Sequence, residues 1–582
     1  MSKAIENTKE FVRVASTDDL PPEKAMAVRV GNRSVALFNH NGRFYATDNQ
    51  CPHMGYPLIR GRTRNGVLQC DWHGWSYAMD GGGCFTGGCD DLDTFAVRVE
   101  NGSVYVQVAG VSSKRTDSHY LLLKEALLSR DNWILSKAIA IMLAQGVSEE
   151  ETFDHLIEHL GKHIASDHGA NGAFLLNQLL NGIAVSRRLE KEDRLIPLMI
   201  AAKAASGRAG DRIRPQPLPG DLDWERLASW TRMFSRDRMW EGIEKCLITA
   251  RNCGSNDSKI IPLLYDCVLE PSFLMFSQNV VHIGDLAELI DTFGWELCGP
   301  MVCNLGAKVA GRNRGTPQGD TRDSIEFLNE IQPLIEKFSN EPSSLAKRYD
   351  ESMLAECLFS GDLKATFNGV THAFEQGAHV SQLVDTMVML AGDRMARTPA
   401  SFSPGWFNIS NEMQLSSSIR RVLKYGTYQN AINATYFAAW HFYQNRWLNL
   451  QPSDLLRIDD GAPSQQENST EACKEIVEHI ESIRTAEVAG QVRAYLRSDF
   501  DPNELLTELA LTILKHDTGT DLLGTLRTVL DEYGQCSSHP ARNKLLIGIA
   551  RFATDVRQRN DNDRATRTAR RFARRETADD MF

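Results

Sequence analysis

The sequence of 582 residues lacks any apolar run long enough to span a bilayer. Its longest uncharged apolar stretches, such as Ala138 to Ala144, fall far short of the roughly 20 residues a membrane helix needs. Its start, MSKAIENTKEFVRVAS, has neither the basic segment nor the apolar core of a secretory leader. A cytoplasmic protein with no membrane partner is therefore expected. Cysteine is sparse: 12 residues are scattered along the chain without the dense spacing of a secreted disulfide scaffold, which suits reduced thiols and a metal site. No glycine-rich dinucleotide fingerprint follows a strand and opens a helix, so electrons from NAD(P)H would have to arrive through a separate reductase or ferredoxin. Positive charge is also not in excess. The net charge of −11 gives no general attraction to nucleic acid, which is not an expected partner.

What is present divides in two. The length exceeds that of a single compact core, and the ordinary apolar and charged fractions describe a globular chain, so two or more units are expected. Residues 11–108 alternate with period two in short runs, and Asn-Gly pairs at 41–42 and 101–102 sit between such runs as hairpin turns. This is the pattern of a small all-β domain. Within it stand Cys51-Pro-His53-Met-Gly55 and Cys70-Asp-Trp-His73-Gly74-Trp75, each loop supplying one cysteine and one histidine. Two thiolates on one iron and two neutral imidazoles on another would make a [2Fe–2S] centre of raised potential. Zinc also accepts two cysteines and two histidines, but its usual signatures group like ligands as C-x2-C and H-x3-H. That spacing argues for the cluster and leaves zinc as the alternative.

On these residues the segment resembles a Rieske ferredoxin or the Rieske domain of a ring-hydroxylating oxygenase, with both ligand loops present from Cys51 to Leu58 and from Cys70 to Trp75. The resemblance implies a Rieske-type [2Fe–2S] cofactor on Cys51, His53, Cys70 and His73. It also implies that electrons pass at the His53/His73 edge. High-potential Rieske proteins carry an extra cysteine in each ligand loop, joined as a disulfide; the corresponding positions here are not cysteine, which implies a potential toward the low end of the range. Cys84 and Cys89, in GGGCFTGGC, are not family ligands and read as free thiols in a turn.

After about residue 112 the period changes to 3.6 and remains helical almost to the end. The expected fold is thus multidomain: a small all-β Rieske domain over 1–112, then a large all-α array over 113–556, then a basic tail over 557–582. Segments beginning at Leu127, Met233 and Leu358 share an apolar pair, Ser-x-Asp and a following amphipathic helix. They suggest three repeated units from about 119, 225 and 350, plus a closing half-unit. The tail holds eight arginines from Arg557 to Arg575, read as a solvated terminus or as a dock for an acidic protein or a nucleic acid. The strands and the carboxylate–histidine motif of a Rieske oxygenase's second domain are missing: Asp154, His159 and His163 lie in one helix with a different spacing.

A second metal or a haem in the helical part would draw on the remaining histidines. His155, His159 and His163 recur at i, i+4 and i+8, with His168 just beyond; His372, Glu375 and His379 are read as sharing one helical face; His282 and His441 complete the set. The bland alternative is that these are half-buried hydrogen-bonding residues flanking apolar stripes. VTHAFEQGAHVSQLV also resembles the histidine-rich helices of questin-oxidase-like proteins, which implies oxygen chemistry without assigning residue roles. The function expected is an oxidoreductase in which the Rieske domain relays single electrons to an active site in the helical domain, for an oxygen-dependent oxidation of a small organic molecule. The alternative is an electron carrier or redox sensor whose helical array is a partner-binding scaffold.

Overall fold

A computed structural model describes residues 11–31, 33–86, 91–107, 116–163, 171–206, 215–312, 315–340, 349–459, 462–516, 520–556 and 561–574. By spatial proximity the chain divides into two compact units, one of Met1–Thr152 with Arg564–Phe582 and the other of Phe153–Asp563.

The first unit is built on nine strands: β1 Val12–Ser16, β2 Lys24–Val30, β3 Arg33–His40, β4 Arg43–Asp48, β5 Arg62–Arg64, β6 Val67–Gln69, β7 Ser76–Ala78, β8 Thr94–Glu100 and β9 Ser103–Gln107. Six form an antiparallel sheet in the order β1-β9-β8-β4-β3-β2, and β5-β6-β7 form a small second sheet. Asn41-Gly42 and Asn101-Gly102 make the tight turns β3–β4 and β8–β9, both residues of each pair having positive φ, which asparagine and glycine tolerate best. A third pair, Asn65-Gly66, makes the same turn between β5 and β6, where the strands are too short for alternation to announce them. β3 explains its own unbroken apolar run. Val35 and Leu37 enter one core with Val28, Val104 and Val106, while Ala36 and Phe38 enter a second with Cys51, Leu58, Cys70 and Tyr77. The loops bearing Cys51 and Cys70 therefore rest on a packed floor.

Among the described residues this unit also holds the helices Thr116–Ser129 and Asn132–Ala144, the first turn of Glu149–His163 and most of Asp561–Ala573. The described part of the basic C-terminal segment is thus largely helical. Arg557, Arg559 and Arg575 lie outside the described residues.

Among the described residues the second unit consists of helices joined by loops and short 3-10 turns, without a strand. Among the described residues no helix is long and apolar enough to cross a membrane. The three segments that share Ser-x-Asp each join two packed helices. In the first and third, the residue before the aspartate has positive φ (Arg130, Gly361) and Asp131 or Asp362 caps the next helix; in the second the positive φ falls later, at Arg238.

Candidate metal centre and a polar cleft

The two ligand loops share one hydrogen-bonded frame. Cys51 N–H donates to Tyr56 O at 2.9 Å and Gly55 N–H to Cys51 O at 2.7 Å; Cys70 N–H donates to Trp75 O at 2.8 Å and Gly74 N–H to Cys70 O at 3.0 Å. Gly55 and Gly74 occupy the left-handed region, which closes each loop without a Cβ clash. Both cysteines are free, buried and hydrogen-bonded to each other. Their shared proton leaves Cys70 the readier to ionise, since its sulfur also accepts from the backbone N–H groups of Trp72 and His73. The Tyr77 hydroxyl lies 3.2 Å from Cys51 Sγ.

The imidazoles form the other end of the site. The rings of His53 and His73 meet edge to face at 4.7 Å, and His53 stacks on Trp75 at 4.5 Å. His53 is half-buried and His73 exposed. Burial pushes the His53 imidazole down to about 4, aided by His73 and then Lys137, so the ring is neutral and able to ligate at physiological pH. His53 Nδ1 is sealed from solvent with no hydrogen-bond partner. A buried ring nitrogen without a protein partner is costly unless a water or a metal meets it, and beside His73 and Trp75 a metal is consistent with it. Among the described residues no three His, Cys, Asp or Glu side chains gather tightly enough to hold one ion. A thiol pair and a separate imidazole pair fit two bridged irons better than one tetrahedral zinc.

Residues 10–96 match the Rieske [2Fe-2S] domain family. The chain is 37% identical over 98 residues to the alkene monooxygenase system ferredoxin component of Xanthobacter autotrophicus, covering 17% of this chain and 80% of that protein. The chain belongs to the Rieske [2Fe–2S] family. It is also 32% identical over 98 residues to the biphenyl dioxygenase ferredoxin subunit of a Pseudomonas species, covering 16% of this chain and 90% of the relative. A solved complex of reduced oxygenase and oxidised ferredoxin in carbazole 1,9a-dioxygenase aligns over 18% of this chain and 100% of that one, at 28% identity and a TM-score of 0.17. The Rieske match thus supports a [2Fe–2S] cluster and an electron-transfer role. It ends before the helical unit and does not reach the questin-oxidase-like segment.

The helical histidines are dispersed. His155 is half-buried and His159 buried on Glu149–His163; the side chain of His163, and all of His168, lie outside the described residues. His372, Glu375 and His379 do not share a helical face. Gly377, at φ 86°, breaks the chain after Leu363–Glu375, and His379 caps the following helix by accepting from Ser381 N–H. His372 Nδ1 lies 3.6 Å from Glu375 and its Nε2 2.8 Å from Gln376 Nε2. His441 Nε2 contacts Ser277 Oγ at 2.5 Å, and burial pushes that ring down to about 4. His282 is buried edge-on to Phe174 and lies 3.7 Å from Asp285.

Sequence reasoning missed a different constellation. Helices Asn171–Ser186, Asn279–Phe293, Ser403–Tyr425 and Thr520–Gln535 pack in a ring around a cleft of about 360 Å³. Its cations are Arg188, Arg420, Arg421, Lys424 and Arg527, and its carboxylates are Glu288, Asp291, Asp531 and Glu532, with Asp285 and Asp385 also paired to Arg421 and Arg420. Among the described residues Val281 is the only aliphatic side chain in that lining. The acids hold the guanidinium groups in place: Arg420 Nη2 donates to Glu532 at 2.7 Å, Arg421 Nη1 to the buried Asp285 at 2.7 Å, and Arg527 Nη2 to both oxygens of Glu288 at 2.6 Å. Behind them, Arg527 donates to Asn181, Asn181 to Asn177, and Asn177 to Asp285.

Proposed function

We propose that this chain is a Rieske oxidoreductase whose cluster exchanges single electrons with a redox reaction hosted by the helical unit, on a small polar substrate bound in the four-helix cleft. A [2Fe–2S] cluster on Cys51, Cys70, His53 and His73 supplies reversible one-electron transfer. The chain's own residues do the rest. Gly55 and Gly74 close the loops, Tyr77 steadies Cys51, and exposed His73 with its neighbour Trp72 leaves a ligand edge open to an electron partner. The single observation that supports a substrate site in the helical unit is the cleft itself, because charged groups buried between helices cost stability unless held in a network, and here that network fixes arginines at a cavity. Lined almost wholly by charged and polar side chains, the cleft suits a small polar molecule rather than an apolar ring. No dinucleotide fingerprint accompanies it, so reducing equivalents come from a separate reductase.

The test is anaerobic chemical reduction of the full chain, followed by mixing with oxygen with and without a small-molecule extract of the source cells, monitored by cluster absorbance. The expected result is reoxidation accelerated by the extract in the native chain and not in Arg420→Gln. A rate indifferent to both extract and substitution refutes a substrate site in the cleft. The carrier reading then takes over, supported by the relatives being separate ferredoxin components covered over 80% and 90% of their length.

A further inference from the structure

The ligand loop that carries His53 is held from outside the family match. The Asn132–Ala144 helix begins at Asp131, whose carboxylate accepts from the N–H groups of Trp133 and Ile134 at 2.9 and 3.1 Å and so fixes the helix start. Trp133 and Lys137 stand four residues apart on one face of that helix. Trp133 Nε1 donates to the carbonyl of His53 at 2.8 Å, and Lys137 Nζ donates to the carbonyl of Pro52 at 2.5 Å. Lys137 is only 2% exposed, and its ammonium lies 5.1 Å from the centre of the Phe572 ring, which also meets Trp133 edge-on at 6.5 Å. Both residues lie beyond the matched segment 10–96.

A lysine is almost never buried this far without a reason that offsets its desolvation. Here two consecutive carbonyls of a ligand loop, between Cys51 and His53, each receive a donor from one helix, and one of those donors carries full charge. Reduction of a cluster on these ligands adds one negative charge. A buried ammonium beside the loop is poorly screened by water or salt, so it favours the reduced state. The positive end of the same helix, which presents Trp133 to the loop, acts in the same direction. Asp131 opposes it but is exposed, so water screens its carboxylate.

We propose that Lys137 and Trp133 are positioning residues of the Rieske centre: they fix the His53 loop, and the Lys137 charge sets the cluster's reduction potential above that of the bare domain. This rests on the cluster occupying its four ligands and not on any reaction in the helical unit, so a null result with the cleft leaves it standing.

The experiment is EPR-monitored redox titration of the full chain at one fixed pH, with iron and sulfide counted for each variant. Lys137→Gln keeps a donor for the Pro52 carbonyl and removes the charge. The expected result is a reduction equilibrium about tenfold less favourable, a midpoint lower by about 59 mV for one electron, at unchanged cluster content. Lys137→Arg is expected to keep the native midpoint. Trp133→Phe, which loses only the donor to His53, is expected to change the EPR line shape with a smaller change in midpoint. A merely structural role would lower thermal stability in all three and leave the midpoint where it was. A Lys137→Gln midpoint equal to the native one, or a Lys137→Arg midpoint that falls as far as that of Lys137→Gln, overturns the proposal. If Lys137→Gln retains too little cluster to titrate, Lys137→Met and Phe572→Leu carry the same comparison, the first without the charge and the second with it.

Discussion

Replacing Arg421 by methionine removes the main partner of a carboxylate that has no access to water. Asp285 is fully buried, and burial alone would raise its pKa. Arg421 above all, then His282 and Asn177, bring it instead to about 2, below its ordinary 3.8. A folded-state value depressed below the unfolded one contributes stability above pH 4 that is lost as the pH falls through 4 toward 2. At pH 7 that shift is worth about 2.5 kcal/mol. Without the guanidinium the desolvation remains and the sign reverses, so breaking the pair should cost about 3–5 kcal/mol at pH 7. Acid should then narrow the gap to the native protein, because protonating Asp285 relieves the variant. Adding Asp285→Asn to Arg421→Met removes the stranded charge and should recover about 2 kcal/mol or more. The assay is urea unfolding followed by far-UV circular dichroism at pH 7 and pH 5 for the native, single and double variants. If the double variant is no more stable than Arg421→Met at pH 7, the pairing does not govern Asp285 and the reasoning fails.

Other outcomes follow from single contacts. Tyr77→Phe removes the hydroxyl 3.2 Å from Cys51 Sγ; as the donor to a thiolate ligand it favours reduction, so its loss should lower the midpoint by about 20–65 mV, equivalent to roughly 0.5–1.5 kcal/mol, measurable by the same titration. Gly82→Ala places a Cβ 1.7 Å from the carbonyl oxygen of Leu92 at a residue with φ of 78°. Its backbone cannot yield cheaply, so a stability loss above about 2 kcal/mol and poor cluster retention are expected, read by melting and by iron content. Gly524→Ala meets only the mobile end of Gln414, with Oε1 2.3 Å from the new Cβ. Thermal melting should show little change or a small gain from helix propensity, while any ligand of the cleft binds more weakly.

The β domain was legible because its signals are local. Period-two alternation and Asn-Gly turns act over a few residues, and the Cys-x-His and Cys-x-x-His loops that match the Rieske family are just as local. Asn65-Gly66 escaped notice because β5 and β6 are three residues each. In the helical part the period was readable, but the histidine face assembled from it was not real. Gly377 sits at the position where a left-handed residue ends a helix, a cue visible in the sequence that outweighs i, i+3, i+7 counting. The cleft could not be read at all from one chain segment. Its cations come from helices as far apart as Ser403–Tyr425 and Thr520–Gln535, and the acids that orient them from Asn279–Phe293 and Thr520–Gln535, so only the fold brings them together.

The first compact unit is discontinuous in sequence: Met1–Thr152 and Arg564–Phe582 share it, and the whole of Phe153–Asp563 is made in between. On a ribosome adding roughly 5–20 residues per second, tens of seconds pass between the emergence of Cys70 and that of Phe572. During that interval the two ligand loops and the Asn132–Ala144 helix already exist, while the ring that covers the Lys137 ammonium does not. Covering of the Lys137 ammonium therefore waits until Phe572 has been made. A chain still short of Phe572 would carry Cys51, His53, Cys70 and His73 yet lack the ring that lies against the Lys137 ammonium.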